Sequence, residues 1–171
     1  MEVIEAILTR RSIRRYTEEP IGEEEMEQLI KAGMAAPSAH NEQPWHFIVI
    51  RDRALLEEIP KIHPYAQMLR EAAAALAVCG DLEREKNKGL GYWILDCSAA
   101  AENILLAAHA LGLGACWLGF HPRPERKDAL RKLLKLPANV EPLCVIALGH
   151  PAEGKGPADR FKADRIHYNV W

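Results

Sequence analysis

The segment YWILDCSAAAENILLAAHALG, residues 92–112, constrains this chain more than any other. Trp93, Ile94, Cys97, Ala100, Ala101, Ile104, Leu105, Ala108 and Leu111 recur at helical spacing and form a broad apolar face. Its alanines let other backbones approach closely, so the helix belongs at the centre of a fold or of a dimer. WHFIVIR, AALAVCG, GLGACWLGF and EPLCVIALGHP read as strands, three of them strongly apolar. VIEAILT, EEEMEQLIKAGMAA, ALLEEI, PYAQMLREA and PERKDALRKLL read as helices, the second opening with acids that suit a helix N-terminus. Strands separated by helices around one long helix give a mixed α and β architecture.

At 171 residues, without internal repeats or a shift in composition, the chain is expected to form one domain. A net charge of −2 offers no broad attraction to nucleic acid or to an anionic membrane. No apolar run has the length of a membrane span, and MEVIEAILTRR lacks the order of a signal peptide, so a cytoplasmic protein is expected. Cys79, Cys97, Cys116 and Cys144 show no CxxC pair, and three lie in apolar runs, where cysteine packs as a small hydrophobe. The seven histidines form no HExxH or HxxxH pair, so no metal is expected. His46 alternates with Trp45 and Phe47 and reads as a satisfied side chain beside the core. DLEREKNKG reads as a charged, solvated connector, and residues 151–171 as an aperiodic tail whose Phe161, Ile166, Tyr168 and Trp171 need a surface to cover them.

Two polar segments stand out. RRSIRRY places Arg10, Arg11, Arg14 and Arg15 within six positions. If extended, it puts Arg10, Ser12 and Arg14 on one side and Arg11, Ile13 and Arg15 on the other. Two guanidiniums flanking a hydroxyl suit a phosphate. Ser38 to Gln43, polar everywhere but Ala39, is fenced by Pro37 and Pro44 and holds more donors and acceptors than a connector needs. GxxxxGK[ST] is absent, and GLGACW has Trp117 where GxGxxG requires glycine, so a bound anion is held by side chains.

RRSIRRY, the pattern P-S-x-x-N-x-Q-P-W at Pro37–Trp45, and the run from AENILLAAHALGLGACWLGF to HYNVW together resemble the FMN-dependent nitroreductase family over almost the whole chain. The resemblance implies an α+β sandwich, with a central mixed, mainly antiparallel sheet flanked by helices, and an intertwined homodimer in which residues 151–171 pack on the partner subunit. It implies FMN at the subunit interface, NADH or NADPH as electron donor, and a small-molecule acceptor such as a nitroaromatic or quinone. Arg10, Arg11, Ser12 and Arg14 match the N-terminal flavin-binding positions, Arg10 toward the phosphate and Arg14 toward the pyrimidine side of the ring. Pro37, Ser38, Ala39 and Asn41 match a loop that reaches the flavin of the other subunit. Leu118 and Gly119 match a segment whose backbone faces flavin N5, and Lys155 or Arg160 supplies a later phosphate contact.

The resemblance further implies ping-pong hydride transfer with no catalytic side-chain base, Arg14 giving electrostatic support to the reduced ring. Many relatives carry a flavin-covering insertion where this chain has only Asp81–Gly91, which implies an open acceptor site. A non-catalytic protein that stores or senses flavin is the alternative reading.

Overall fold

A computed structural model describes all 171 residues. Four strands, β1 (Trp45–Ile50), β2 (Ala74–Asp81), β3 (Gly114–Gly119) and β4 (Val140–Gly149), form one sheet in the order β1-β2-β4-β3. Every neighbouring pair is antiparallel, and the parallel component is a single bridge from Ser12 to Ala115 on the outer edge of β3. The helices are α1 (Val3–Thr9), α2 (Glu23–Met34), α3 (Arg53–Ile62), α4 (Tyr92–Ala110) and α5 (Pro124–Leu134). The fold is α+β, with helices on both faces of the sheet.

Both central strands are buried on their two faces, which is why they read as continuous apolar runs. Leu76, Val78, Ile146 and Leu148 pack with Leu29 of α2 and with Cys97, Ala101 and Ile104 of α4. The alternate residues Ala75, Ala77, Val145 and Ala147 pack with Leu56 and Ile59 of α3 and Leu130 of α5. Each fully buried leucine or isoleucine stabilises the fold by about 1.5–3 kcal/mol. The four cysteines are buried and free.

Several expectations are revised. PYAQMLREA forms only a 3-10 turn at Gln67–Arg70, its remainder held by tight turns such as Ala66 N to His63 O. His46 is exposed beside Asp81, 3.7 Å away, because β1 is an edge strand. The charged connector is not wholly solvated: Glu85 is buried, and its Oε1 accepts from Trp93 N at 3.1 Å, serving an amide that the start of α4 would otherwise leave unpaired. Helix α1 forms as expected, yet Val3, Ile4, Ile7 and Leu8 all face solvent. Of the tail, residues 151–156 dock on the N-terminal segment of the same chain, whereas the apolar side chains further on, Phe161, Ile166, Tyr168 and Trp171, are exposed. No helix is long and apolar enough to cross a membrane.

The N-terminal segment after α1 crosses the end of the sheet on a bare patch. Gly114 and Gly149 are cross-strand partners, and Ile13 and Tyr16 lie directly over them. A Cβ on Gly114 would come within 2.8 Å of Ile13 Cγ2, and one on Gly149 within 2.8 Å of the Tyr16 ring. The Tyr16 hydroxyl donates to Ile13 O at 2.7 Å, closing the segment on itself. Gly149→Ala is therefore expected to destabilise the protein by about 1–3 kcal/mol through overpacking. Denaturant unfolding measures this, and an unchanged midpoint would show that the patch is not a tight seat.

Candidate flavin-binding site

The seat fixes where the arginines point. Ile13 N donates to Ala115 O at 3.0 Å, and around Tyr16 the chain, residues 15–17, runs antiparallel to residues 150–152. Arg11, Ser12 and Arg14 meet Lys155 and Arg160 in a recess with no apolar lining. Glu153 locks its rim, its Oε1 accepting from Arg14 N at 2.6 Å and lying 3.0 Å from Lys155 Nζ. Those contacts, the Arg14 amide foremost, hold the Glu153 carboxyl below the usual range. Lys155 Nζ also donates to Ser12 O at 2.8 Å, and Arg11 donates to Gly156 O. Arg160 has no ion-pair partner. Arg10 turns away from the recess toward α4, where its Nε lies 3.2 Å from Glu102 Oε1. It could reach an anion in the recess only by leaving that carboxylate. Arg15 pairs with Glu71 instead.

The loop Pro37–Gln43 is built differently. His40, Asn41 and Gln43 all have positive φ, at 51°, 56° and 49°, a conformation that stores about 1–3 kcal/mol per non-glycine residue and concentrates at functional sites. Ser38 Oγ accepts from Gln43 N at 3.0 Å, and Asn41 Oδ1 accepts from Gln43 Nε2 at 2.9 Å. Several of its polar side chains thus brace the loop itself. Outside the loop, Ala39 N donates to Asp96 Oδ1 at 2.9 Å, and Glu42 Oε1 accepts from Lys86 N at 3.0 Å. None of the loop's residues lines the arginine recess of the same chain.

Leu118 and Gly119 end β3, whose outer edge is covered only as far as Ala115. Ala115 O points outward to Ile13, and by alternation Trp117 and Gly119 also turn their backbone groups to this open edge. His63, 4% exposed, controls the Gly119 carbonyl. Its Nδ1 faces Tyr65 N–H at 3.2 Å and must accept, so its Nε2 carries the hydrogen and donates to Gly119 O at 3.0 Å. Arg126 Nη1, 3.2 Å from the same Nε2, then meets another donor. Burial, and next the Arg126 charge, hold the His63 pKa below its ordinary 6.5.

A depressed histidine pKa supplies stability that is full above 6.5 and is lost as pH falls through the folded-state value. His63→Gln, which keeps a donor and an acceptor but cannot titrate there, is expected to cost about 1 kcal/mol at neutral pH. It should also flatten the decline of Tm with acidification, a decline that would persist unchanged if His63 were not held neutral.

The sequence alone had not singled out His63, Glu85 or Asp96. Asp96 had a signal, since it lies three residues after Trp93 and four before Ala100, on the face of α4 that the apolar pattern marks as buried. Comparison with known proteins places this geometry among relatives. The nitroreductase family's sequence profile matches residues 7–63 and 61–150. A protein of Methanothermobacter thermautotrophicus, described provisionally as an NADH dehydrogenase/NAD(P)H nitroreductase, is 50% identical over 171 residues, 100% of this chain and 88% of that one. The oxygen-insensitive NADPH nitroreductase of Salmonella typhimurium is 31% identical, over 98% of this chain and 74% of its own. A crystal structure from Desulfovibrio desulfuricans, of a protein described provisionally as a nitroreductase and bound to FMN, superposes with a TM-score of 0.85 at 35% identity, covering 100% of this chain and 98% of the other. With its arginine-lined recess, strained polar loop and open β3 edge, this chain belongs to the nitroreductase family.

Proposed function

We propose that the protein is an FMN-dependent oxidoreductase that takes hydride from NADH or NADPH and delivers it to nitroaromatic, quinone or similar small acceptors. The observation that carries this reading is the recess of Arg11, Ser12, Arg14, Lys155 and Arg160 in a member of the nitroreductase family. Four cations and a hydroxyl converge there without an apolar side chain, a donor set that fits the phosphate of FMN. Bound there, FMN would supply the two-electron chemistry that links a nicotinamide donor to an organic acceptor.

The chain's own residues bind and orient. Arg11 and Arg160 would hold the phosphate of FMN, and Arg14 would give the pyrimidine side of its ring a fixed positive charge that favours the reduced form. The open end of β3 offers the Gly119 backbone to the N5 edge, with the peptide plane fixed by His63. No side-chain base takes part. With FMN bound, donor and acceptor would use one face of the site in turn, which would give ping-pong kinetics. The short Asp81–Gly91 connector leaves that face open to acceptors of different size.

The working unit is a homodimer. The recess and the loop Pro37–Gln43 do not meet within one chain, so each chain carries half of two sites, the loop serving the partner's flavin. Val3, Ile4 and Leu8 are each at least 65% exposed, and Trp171 is 99% exposed. Uncovered apolar area of that extent is what a second subunit, wrapped by residues 151–171, would bury. Free cysteines suit a reducing compartment, the cytoplasm.

The test is the visible spectrum of the purified protein under anaerobic NADH and then NADPH. Flavin bands that bleach support the reading, whereas a colourless protein that FMN does not reconstitute overturns it. Within the recess, Lys155 is engaged by Ser12 O and Glu153 while Arg160 has no partner. Arg160→Ala is expected to weaken FMN binding by about tenfold or more without moving Tm, and Lys155→Ala to lower both. Equal losses of Tm in a fluorescence titration and melting series would contradict this division.

A further inference from the structure

Asp96 lies in the first half of α4 with 5% of its surface exposed. Its Oδ1 accepts from Ala39 N at 2.9 Å, the one hydrogen bond that ties the loop Pro37–Gln43 to α4. Its Oδ2 is buried and has no hydrogen-bond partner. The tether falls immediately before the left-handed residues His40 and Asn41, so it fixes the point from which the strained part of the loop departs.

The charged groups that face Asp96 are both acids. Glu42 comes from the loop itself, with its Oε1 on Lys86 N, and Glu85 comes from the connector, with its Oε1 on Trp93 N. Burial above all, and then these two carboxylates, favour a proton on Asp96, while the Ala39 amide opposes it; the net direction is upward. A proton on Oδ2 leaves Oδ1 free to accept from Ala39 and removes the charge that repels Glu42. Without that proton the Ala39 bond is stronger, but seating the loop then keeps a partnerless anion from water, and that burial outweighs the gain.

We propose that Asp96 is a positioning residue for the flavin-facing loop: Oδ1 fixes Ala39, and the charge on the partnerless Oδ2 sets how firmly Pro37–Gln43 is seated. The proposal rests on the reading of that loop as part of a flavin site. Below the folded-state pKa of Asp96 the carboxyl is neutral and the loop seated. As pH rises through it, the loop loosens.

Two variants separate the parts of the proposal. Asp96→Asn keeps the acceptor and is neutral at every pH, and Asp96→Ala removes the acceptor. Amide hydrogen exchange at Ala39, followed by NMR in the FMN-free full-length protein, reports the tether alone. Fluorescence titration with FMN across the mildly acid to neutral range reports its effect on the site. Asp96→Ala should speed Ala39 exchange and raise the FMN Kd about tenfold, and Asp96→Asn should restore both. The ratio of the wild-type Kd to that of Asp96→Asn, in which the titration of FMN's own phosphate cancels, should grow as pH rises.

Ala39 exchange unchanged in folded Asp96→Ala would overturn the tether. A Kd ratio flat with pH would overturn the role of charge. Faster Ala39 exchange with FMN affinity unaltered would overturn the loop's place in a flavin site, and with it the reading on which the proposal stands. Should Asp96→Ala not fold, the Asp96→Asn ratio decides.

Discussion

The contact on which the rest of the site depends is that of Ile13 and Tyr16 with the bare Gly114–Gly149 pair. Two strands of a sheet present backbone alone at that point, and a third segment lies across them closer than any side chain would allow. Ile13 and Tyr16 are the apolar residues of an otherwise basic run, and once they are seated the intervening arginines have no choice but to face outward. The same seat sets the exit of β4, because Thr17 and Arg15 bond to His150 and Ala152 and bring Glu153, Lys155 and Gly156 alongside Arg11 to Arg14. One small patch of missing side chains thereby organises two cationic segments about 140 residues apart in sequence.

Helix α4 does the corresponding work for the other polar segments. Its apolar face is the middle of the core, yet several of its polar positions hold a neighbouring stretch of chain. Asp96 takes Ala39, Glu102 faces Arg10, Asn103 donates to Ala32 O, and His109 meets the Thr9 hydroxyl at 2.8 Å. Six residues separate Asp96 from Glu102, roughly 9 Å along the axis, so the loop and the arginine segment are anchored at distinct levels of one rigid rod. The two are thus held apart along the helix within a single chain.

Much of this was legible in the sequence. Continuous apolar runs marked β2 and β4, helical periodicity marked α4, and the acids after Gly22 marked the start of α2. The polar loop and the arginine cluster were visible as excess polarity. What periodicity could not give was the environment of single polar residues. Strict alternation groups Arg10 with Ser12 and Arg14, but a segment tied by one bridge is not a regular strand, and Glu102, on α4, takes Arg10 while Arg11 joins the recess. Glu85 sat in a run that reads as solvated, and its burial depends on the start of α4 folding over it. PYAQMLREA has helical composition, but Pro64 and the tight turn after His63 leave room for only one 3-10 turn.

The buried thiols have a consequence for chemical durability. Reduced flavins can pass electrons to dioxygen as well as to organic acceptors, and a protein of the proposed kind would then meet hydrogen peroxide at its own surface. Peroxide attacks thiolates, not thiols. Burial pushes Cys79 up to about 12 and raises Cys97 and Cys144 as well, so these sulfurs are kept both inaccessible and protonated. Cys116, nearest the arginines, is raised by burial even though Arg14 and Lys155 pull the other way. The same packing that closes the core thus makes the cysteines poor targets for such peroxide.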